Sequence, residues 1–365
     1  MRIALVAPLV SPIGGAQLGG AQSVVGDLAL GLTQRGHQVD VYAAMGSFID
    51  GVRVVETGVE SGTLAAAIYR HGQDQAVALP AIENAFRTVY AAIAVERYDI
   101  VHNHAFDAAA ITLAADLAAP ILHTLHLPPD RSMAGAIRTA RDSPRPPRIA
   151  AVSASLAEGW SRLEPVDVVL ANGVPTSRMP WSEGAGQGVV FAGRLSPEKG
   201  AAEAIAIARA AELDIDVFGE AYDSDYAAER IEPLRRLPGV TVRGPVERTV
   251  LWERMLAATA VLCPAMWDEP FGMVAAEAQA LGTPVVAFAS GNLPAVVIDG
   301  LTGFVTTPGD VGEATGALKR ASGIRRAACR QHAELHLDLE PTLDAHERYY
   351  RKATLEAGVA TGAGD

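Results

Sequence analysis

The stretch from residue 261 to residue 286, VLCPAMWDEPFGMVAAEAQALGTPVV, constrains the fold more than any other. Val261–Leu262 and Val285–Val286 are short apolar runs of the kind that form buried parallel strands. Between them, Met273 to Leu281 has helix-forming composition, with Gly282 to stop it and Pro284 beyond. Two parallel strands joined through a helix are one βαβ unit. The turn Pro270-Phe271-Gly272 sits where strand gives way to helix, and free N–H groups at such a turn attract anions. Glu269 and Glu277 flank the helix start with seven residues between them. Carboxylates beside an anion site suit a ligand with phosphate at one end and hydroxyls at the other, as in a sugar nucleotide. The chain has 42 acidic residues in 365, so the Glu pair alone recurs by chance and the surrounding residues carry the signal.

Those surroundings have a known counterpart. The run Glu269-Pro-Phe-Gly-Met-Val-Ala-Ala-Glu277, followed by Ala280-Leu-Gly-Thr-Pro-Val-Val, resembles the signature of the retaining glycosyltransferases of glycosyltransferase family 4. The resemblance implies the GT-B architecture: an α/β chain with two Rossmann-like doubly wound domains facing a central cleft. Gly193-Arg194-Leu195-Ser196-Pro197-Glu198-Lys199-Gly200 resembles that family's diphosphate-binding loop. Lysine is scarce here, present only as Lys199, Lys319 and Lys352, so Lys199 five residues after Arg194 at a strand-to-helix turn is conspicuous. Arginine clamps phosphate oxygens in a fork and lysine adds a mobile point charge. An Arg–Glu surface pair is the bland alternative.

At 365 residues the expectation is two domains. Residues 176–188, TSRMPWSEGAGQG, form the linker, dividing an acceptor-side domain, 1–178, from a nucleotide-sugar-binding domain, 186–340. By resemblance, a helix at about 342–357 packs back on the first domain. A net charge of −12 argues against nucleic acid as a partner. Cys263 and Cys329 form neither a disulfide framework nor a metal spacing, which fits a reducing cytoplasm. No apolar run reaches membrane-spanning length and no basic amphipathic helix stands out, which argues against membrane association. Oligomeric state is not legible.

In the first half, IALVA at residues 3–7 is a buried strand, followed by a loop that repeats Gly-Gly-Ala-Gln at 14–17 and 19–22. Gly19 and Gly20, just before the next helix, permit close backbone approach to a phosphate. No G-x-G-x-x-G follows the strand, so the dinucleotide-binding reading is disfavoured. Residues 64–97 read as one or two helices, with Gly72 a possible divider. Tyr98 to His104 reads as a strand with polar residues at its carboxyl end, the end that faces the ligand crevice in open α/β sheets. By resemblance His104 lies near the donor sugar. His126 ends the next strand and is a candidate for acceptor contact. Residues 131–148 carry five arginines. Arg138 and Arg141 are candidates for an anionic acceptor, with a solvated helix face as the alternative.

The resemblance implies transfer of a sugar from a nucleotide-diphosphate sugar to a hydroxyl on a small-molecule or saccharide acceptor, with retention. The acceptor attacks on the face the diphosphate leaves, so neither a dedicated base nor a metal is needed, and no cofactor is expected. No Asp-x-Asp metal motif accompanies the loops. In that scheme His104, Arg194, Lys199 and Glu269 serve the chemistry. The backbone of Phe271, Gly272, Met273 and Val274 adds donors, and Glu277 binds the ribose. The rivals are a GT-B sugar-nucleotide epimerase or non-glycosidic coupling enzyme, and a non-catalytic sugar-nucleotide-binding module.

Overall fold

The protein is seen here as a computed structural model describing residues 1–14, 20–58 and 73–362. It divides into two units, one of residues 1–14, 21–171 and 340–365, the other of residues 15–20 and 172–339. The part of the helical expectation that falls on 64–72, and Gly19, lie outside the described residues.

The first unit is built on a seven-stranded parallel sheet: β1 (Arg2–Val6), β2 (Gln38–Ala43), β3 (Arg53–Glu56), β4 (Ile100–Asn103), β5 (Ile121–Leu125), β6 (Arg148–Ala151) and β7 (Val168–Val169). Their order is β3-β2-β1-β4-β5-β6-β7. The helices that matter below are α1 (Gly20–Gln34), α2 (Gln73–Ala94), α3 (Arg131–Arg141) and α4 (Ala154–Ser161). Asp130 and Ser153 cap α3 and α4 by accepting from the backbone N–H groups of Met133 and Leu156.

The second unit repeats the plan with six parallel strands: β8 (Val189–Ala192), β9 (Ile215–Phe218), β10 (Val240–Arg243), β11 (Ala260–Cys263), β12 (Val285–Phe288) and β13 (Gly303–Thr306). The order is β10-β9-β8-β11-β12-β13. Its helices include α5 (Ala201–Ala210), α6 (Arg248–Ala257), α7 (Met273–Ala280), α8 (Val311–Ala321) and α9 (Arg326–His336). The two apolar runs of the opening stretch pair directly, Val261 with Val285 and Leu262 with Val286, and all four are buried. The inner strands β11 and β12 are apolar throughout, as in a sheet covered on both faces, whereas the edge strand β10, Val240-Thr241-Val242-Arg243, alternates and exposes Thr241 and Arg243.

Each sheet reverses its winding direction once, between β1 and β4 in the first unit and between β8 and β11 in the second. In open α/β sheets such a reversal leaves a crevice at the carboxyl ends of the two strands, where ligands bind.

The last helix, α10 (Leu339–Gly362), belongs to the first unit. Arg35, just beyond α1, pairs with Glu340 and with Asp344, and His37 lies 2.8 Å from Glu347. The chain from residue 172 groups with the second unit. Val174 exchanges backbone hydrogen bonds with Leu337 and Leu339, and Arg330 donates to the carbonyls of Thr176, Met179 and Ala280. Arg326 likewise donates to the carbonyls of Ser182, Leu256 and Ala258 and to Thr283 Oγ1. Two arginines that gather backbone carbonyls fix the linker more firmly than its Gly/Ser/Pro composition suggests.

Gly200 precedes α5 with φ +73, and a Cβ there would meet the Pro264 carbonyl oxygen at 2.0 Å. The loop after β8 thus touches the loop after β11, and Met266 N donates to Glu198 O at 2.9 Å across the same seam. Gly300 has the same φ with nothing within 4 Å of a Cβ. Gly300→Ala should cost roughly 1–2 kcal/mol from the left-handed backbone alone. Gly200→Ala should cost roughly a further 1–3 kcal/mol from the clash. Urea unfolding of the two variants measures the difference, and equal losses would mean that the two loops are not in contact.

Candidate functional site

The reversal in the second sheet gathers the charged residues that the sequence singled out. Arg194 and Lys199 lie on the loop after β8, and Glu269 on the loop after β11. Lys199 Nζ donates to Glu269 Oε2 at 2.7 Å. Trp267 Nε1 donates to the same oxygen at 2.7 Å, and the indole ring lies 4.4 Å from Lys199 Nζ. Glu269 Oε1 takes no hydrogen bond among the described residues and stays accessible. Burial acts to raise the Glu269 carboxyl, but the Lys199 charge and the two hydrogen bonds outweigh it and hold it below the ordinary value. The Arg194 guanidinium faces the rings of Tyr222 at 5.0 Å and Trp267 at 6.0 Å, and bonds Glu198 at 3.2 Å. Two cations and one ionised carboxylate therefore share one aromatic-walled corner.

The chain between Glu269 and α7 is fixed by backbone. Asn292 N donates to Glu269 O at 2.8 Å, and Asn292 Nδ2 donates to Phe271 O at 3.0 Å. Gly272 adopts φ +100 directly before α7, and no side chain among the described residues caps that helix. Phe271 is buried, while Met273 and Val274 form the first residues of α7 and are partly exposed. Their amides supply the donors that an uncapped helix start leaves over. Glu277, one turn in, is 5% exposed, and its Oε1 accepts from Arg248 Nε at 2.7 Å. Cys263, at the end of β11, is pushed by burial up to about 12, so its thiol stays protonated and is no nucleophile.

The reversal in the first sheet gathers histidines. His104 follows β4 and its backbone N donates to Val6 O on β1 at 2.8 Å. Its Nδ1 lies 2.9 Å from His126 Nε2, so the two candidates from this half stand together. His104 Nε2 is buried without a hydrogen-bond partner among the described residues. His102 is bonded on both ring nitrogens, to Tyr350 Oη at 2.6 Å and Thr124 Oγ1 at 2.7 Å. His123 Nδ1 accepts from Asn103 Nδ2 at 2.7 Å. His346 stands beside them, its ring 5.6 Å from that of His102. Burial drives His102 and His104 well below the ordinary imidazole value, His123 and His126 to about 3, and His346 to about 4. All five rings are neutral at pH 7, each with one N–H donor and one acceptor nitrogen.

Gly20 is the first residue of α1. Arg138 and Arg141 do not join the histidines. They sit in the last turn of α3, the end that leads into the start of β6, away from the carboxyl ends of the strands. Arg138 pairs with buried Glu164 at 2.6 Å, and Arg141 donates to Pro165 O at 2.7 Å and lies 3.6 Å from Asp167. The solvated helix face is the reading the geometry fits. Four further residues escaped the sequence reading: Trp267, Arg248, Asp107 and His346. Asp107, three residues beyond His104, has its carboxyl pushed by burial up to about 7. The signal for His346 and Tyr350 was their four-residue spacing on one helix face.

Among the described residues no group of three or more His, Cys, Asp or Glu could hold a metal ion. No described helix is long and apolar enough to cross a membrane.

The histidines give a pH prediction. In the unfolded chain they titrate near 6.5, and in the folded protein well below it. Between those values the unfolded state binds more protons, so stability is full above about 6.5 and falls as pH drops. We expect the unfolding free energy to decline from pH 6.5 toward pH 4 more steeply than the one-proton slope of about 1.4 kcal/mol per pH unit. Denaturant melts across that range test it, and a flat profile from pH 7 to pH 5 would show that the rings are charged in the folded state.

Comparison with known proteins agrees with this layout. Residues 184–334 match the family described as glycosyl transferases group 1, and residues 18–178 match glycosyltransferase family 4. D-inositol 3-phosphate glycosyltransferase of Mycobacterium tuberculosis is 31% identical, with 96% of this chain and 83% of that protein covered. Among solved structures, sucrose-phosphate synthase from Thermosynechococcus elongatus superposes with a TM-score of 0.76 at 20% identity, covering 96% of this chain and 98% of that one. Anabaena HepE in complex with UDP-glucose gives 0.69 at 20% identity, covering 96% and 100%. The two sheets with matching strand orders are those of the GT-B fold, and with a relative at this identity over nearly its whole length, the chain belongs to the GT-B glycosyltransferases of the family 4 type.

Proposed function

We propose that this glycosyltransferase moves a sugar from a nucleotide-diphosphate sugar to an acceptor hydroxyl with retention of configuration, using side-chain cations in place of a metal. The observation that carries the reading is the Lys199–Glu269 pair beside Arg194 at the reversal of the second sheet. When the sugar C1–O bond breaks, its electron pair goes to the departing diphosphate. Arg194 and Lys199 are the groups suited to that growing charge, and they are pre-placed rather than recruited. Glu269 Oε1 is the acceptor suited to a sugar hydroxyl, and the amides of Phe271 to Val274 are donors for the diphosphate or the sugar. The acceptor oxygen bonds to C1 on the face the diphosphate leaves, and its proton passes to a phosphate oxygen. Glu277 is assigned the ribose hydroxyls.

In the first unit, His104 and His126 are assigned to hydroxyl recognition. Buried neutral imidazoles suit that task, since each offers a donor or an acceptor without fixed charge. The M. tuberculosis relative is named for D-inositol 3-phosphate. That makes phosphorylated polyols one acceptor class to screen beside sugars and other small alcohols.

A thermal-shift screen of nucleoside diphosphates should find one base that raises apparent stability by about 2.7 kcal/mol at a hundred times its Kd. With the matching sugar donor below saturation, Arg194→Ala and Lys199→Ala should each lower kcat/KM by roughly 10²–10³-fold. Activity should survive EDTA, and the donor should be consumed only with acceptor present. Wild-type turnover in both variants would overturn the assignment of the cations, and acceptor-independent consumption would favour an epimerase.

A further inference from the structure

Glu277 is the fifth residue of α7 and its side chain is 7% exposed. A carboxylate so enclosed needs a partner, because an unpaired buried charge is costly. Arg248, the first residue of α6, supplies it. Its Nε and its Nη2 both lie 2.7 Å from one oxygen, Glu277 Oε1. This differs from the usual fork, in which two N–H groups take both oxygens of a carboxylate. Here Oε1 carries the ion pair, and Oε2 accepts no hydrogen bond among the described residues.

Arg248 is itself held. Its guanidinium lies over the ring of Trp252, one turn further along α6, at 4.8 Å from the centroid. Trp252 is buried, and the Arg248 side chain is 16% exposed. A rigid indole thus supports a guanidinium, which fixes one oxygen of a carboxylate and leaves the other for a ligand. Neither Arg248 nor Trp252 belongs to the Glu-x7-Glu stretch, and α6 reaches Glu277 only through the fold.

We propose that Arg248 is a positioning residue that gives the nucleotide site its selectivity for ribose over deoxyribose. This rests on the reading of Glu277 as the ribose-binding carboxylate. With Oε1 committed to Arg248, recognition of the sugar hydroxyls falls on Oε2. A ribonucleotide brings two vicinal hydroxyl donors to it. A 2′-deoxynucleotide brings one and leaves a buried charged acceptor short of a donor, and sites built around such hydrogen bonds reject the analogue that lacks one. Without Arg248 the carboxylate turns or takes its missing bonds from water, and the distinction is lost.

The experiment is calorimetric titration of the full chain with the preferred nucleoside diphosphate and with its 2′-deoxy counterpart, read as the ratio of the two Kd values. We expect a ratio of about tenfold or more in the wild type. It should fall below about threefold in Glu277→Gln and in Arg248→Gln, with partial recovery in Arg248→Lys, which keeps the charge and loses the planar guanidinium over Trp252. Trp252→Leu, which removes the support under the guanidinium, should lower the ratio by a smaller amount and serves if Arg248→Gln does not fold. General damage to the fold weakens both ligands together and leaves the ratio alone. A wild-type ratio near one would overturn the reading of Glu277 and with it the proposal. A ratio that collapses in Glu277→Gln and persists in Arg248→Lys, Arg248→Gln and Trp252→Leu would overturn the role of Arg248 and leave Glu277 standing.

Discussion

The second unit depends on one contact, the ion pair between Lys199 and Glu269. The two residues are 70 positions apart and follow the two strands where the sheet changes direction. Glu269 lies on a loop and Lys199 ends a single 3-10 turn, Pro197–Lys199, so their meeting has to be enforced by backbone. Gly200 lets the first loop pass against the Pro264 carbonyl, and the Met266–Glu198 hydrogen bond closes the seam. Trp267 then fixes the pair from a third side. It donates to the oxygen that Lys199 uses and lays its ring near both cations. Concentrating both donors on Oε2 leaves Oε1 of an ionised carboxylate without a donor among the described residues. A loop held this way costs little reorganisation when charge develops beside it.

Much of this was legible because it is local. The β11–α7–β12 unit could be read from two apolar runs, a glycine stop and a proline, since each is a short-range constraint on backbone or burial. Arg194 and Lys199 stood out by position and scarcity. What escaped the sequence was pairing through space. Arg248 is one arginine among many, and only the packing of α6 beside α7 puts it against Glu277. His346 and Tyr350 lie more than 200 residues from the histidines they join. Arg138 and Arg141 looked like an anion site in an acidic chain, but the fold supplies Glu164 and Asp167 as their partners. Composition marks where a chain can bend, whereas Arg326 and Arg330 decide which unit holds it.

The two sheets share a plan and differ in how their reversals are furnished. The second carries full charges, each matched by an opposite charge or an aromatic face. The first carries five titratable rings and keeps all of them neutral by burial. That difference follows from solvation. A guanidinium keeps its proton at any accessible pH, so it can be buried only with partners. An imidazole can escape the penalty by giving up its proton, and a cluster of them does so more readily, because each charged neighbour would penalise the next.

A neutral cluster also has a functional consequence. Charged groups bind hydroxyls strongly but bind every competing ion as well, water-borne phosphate included. Neutral imidazoles with one donor and one acceptor discriminate by geometry instead of charge. His104 illustrates the case: one nitrogen is tied to His126, which orients the ring, and the other is buried without a partner among the described residues. A buried polar atom left open costs stability unless a ligand completes it. The fold tolerates that cost at the carboxyl end of β4, beside the point where its sheet reverses, and the neighbouring histidines, each bonded to the protein through at least one ring nitrogen, hold the ring in place.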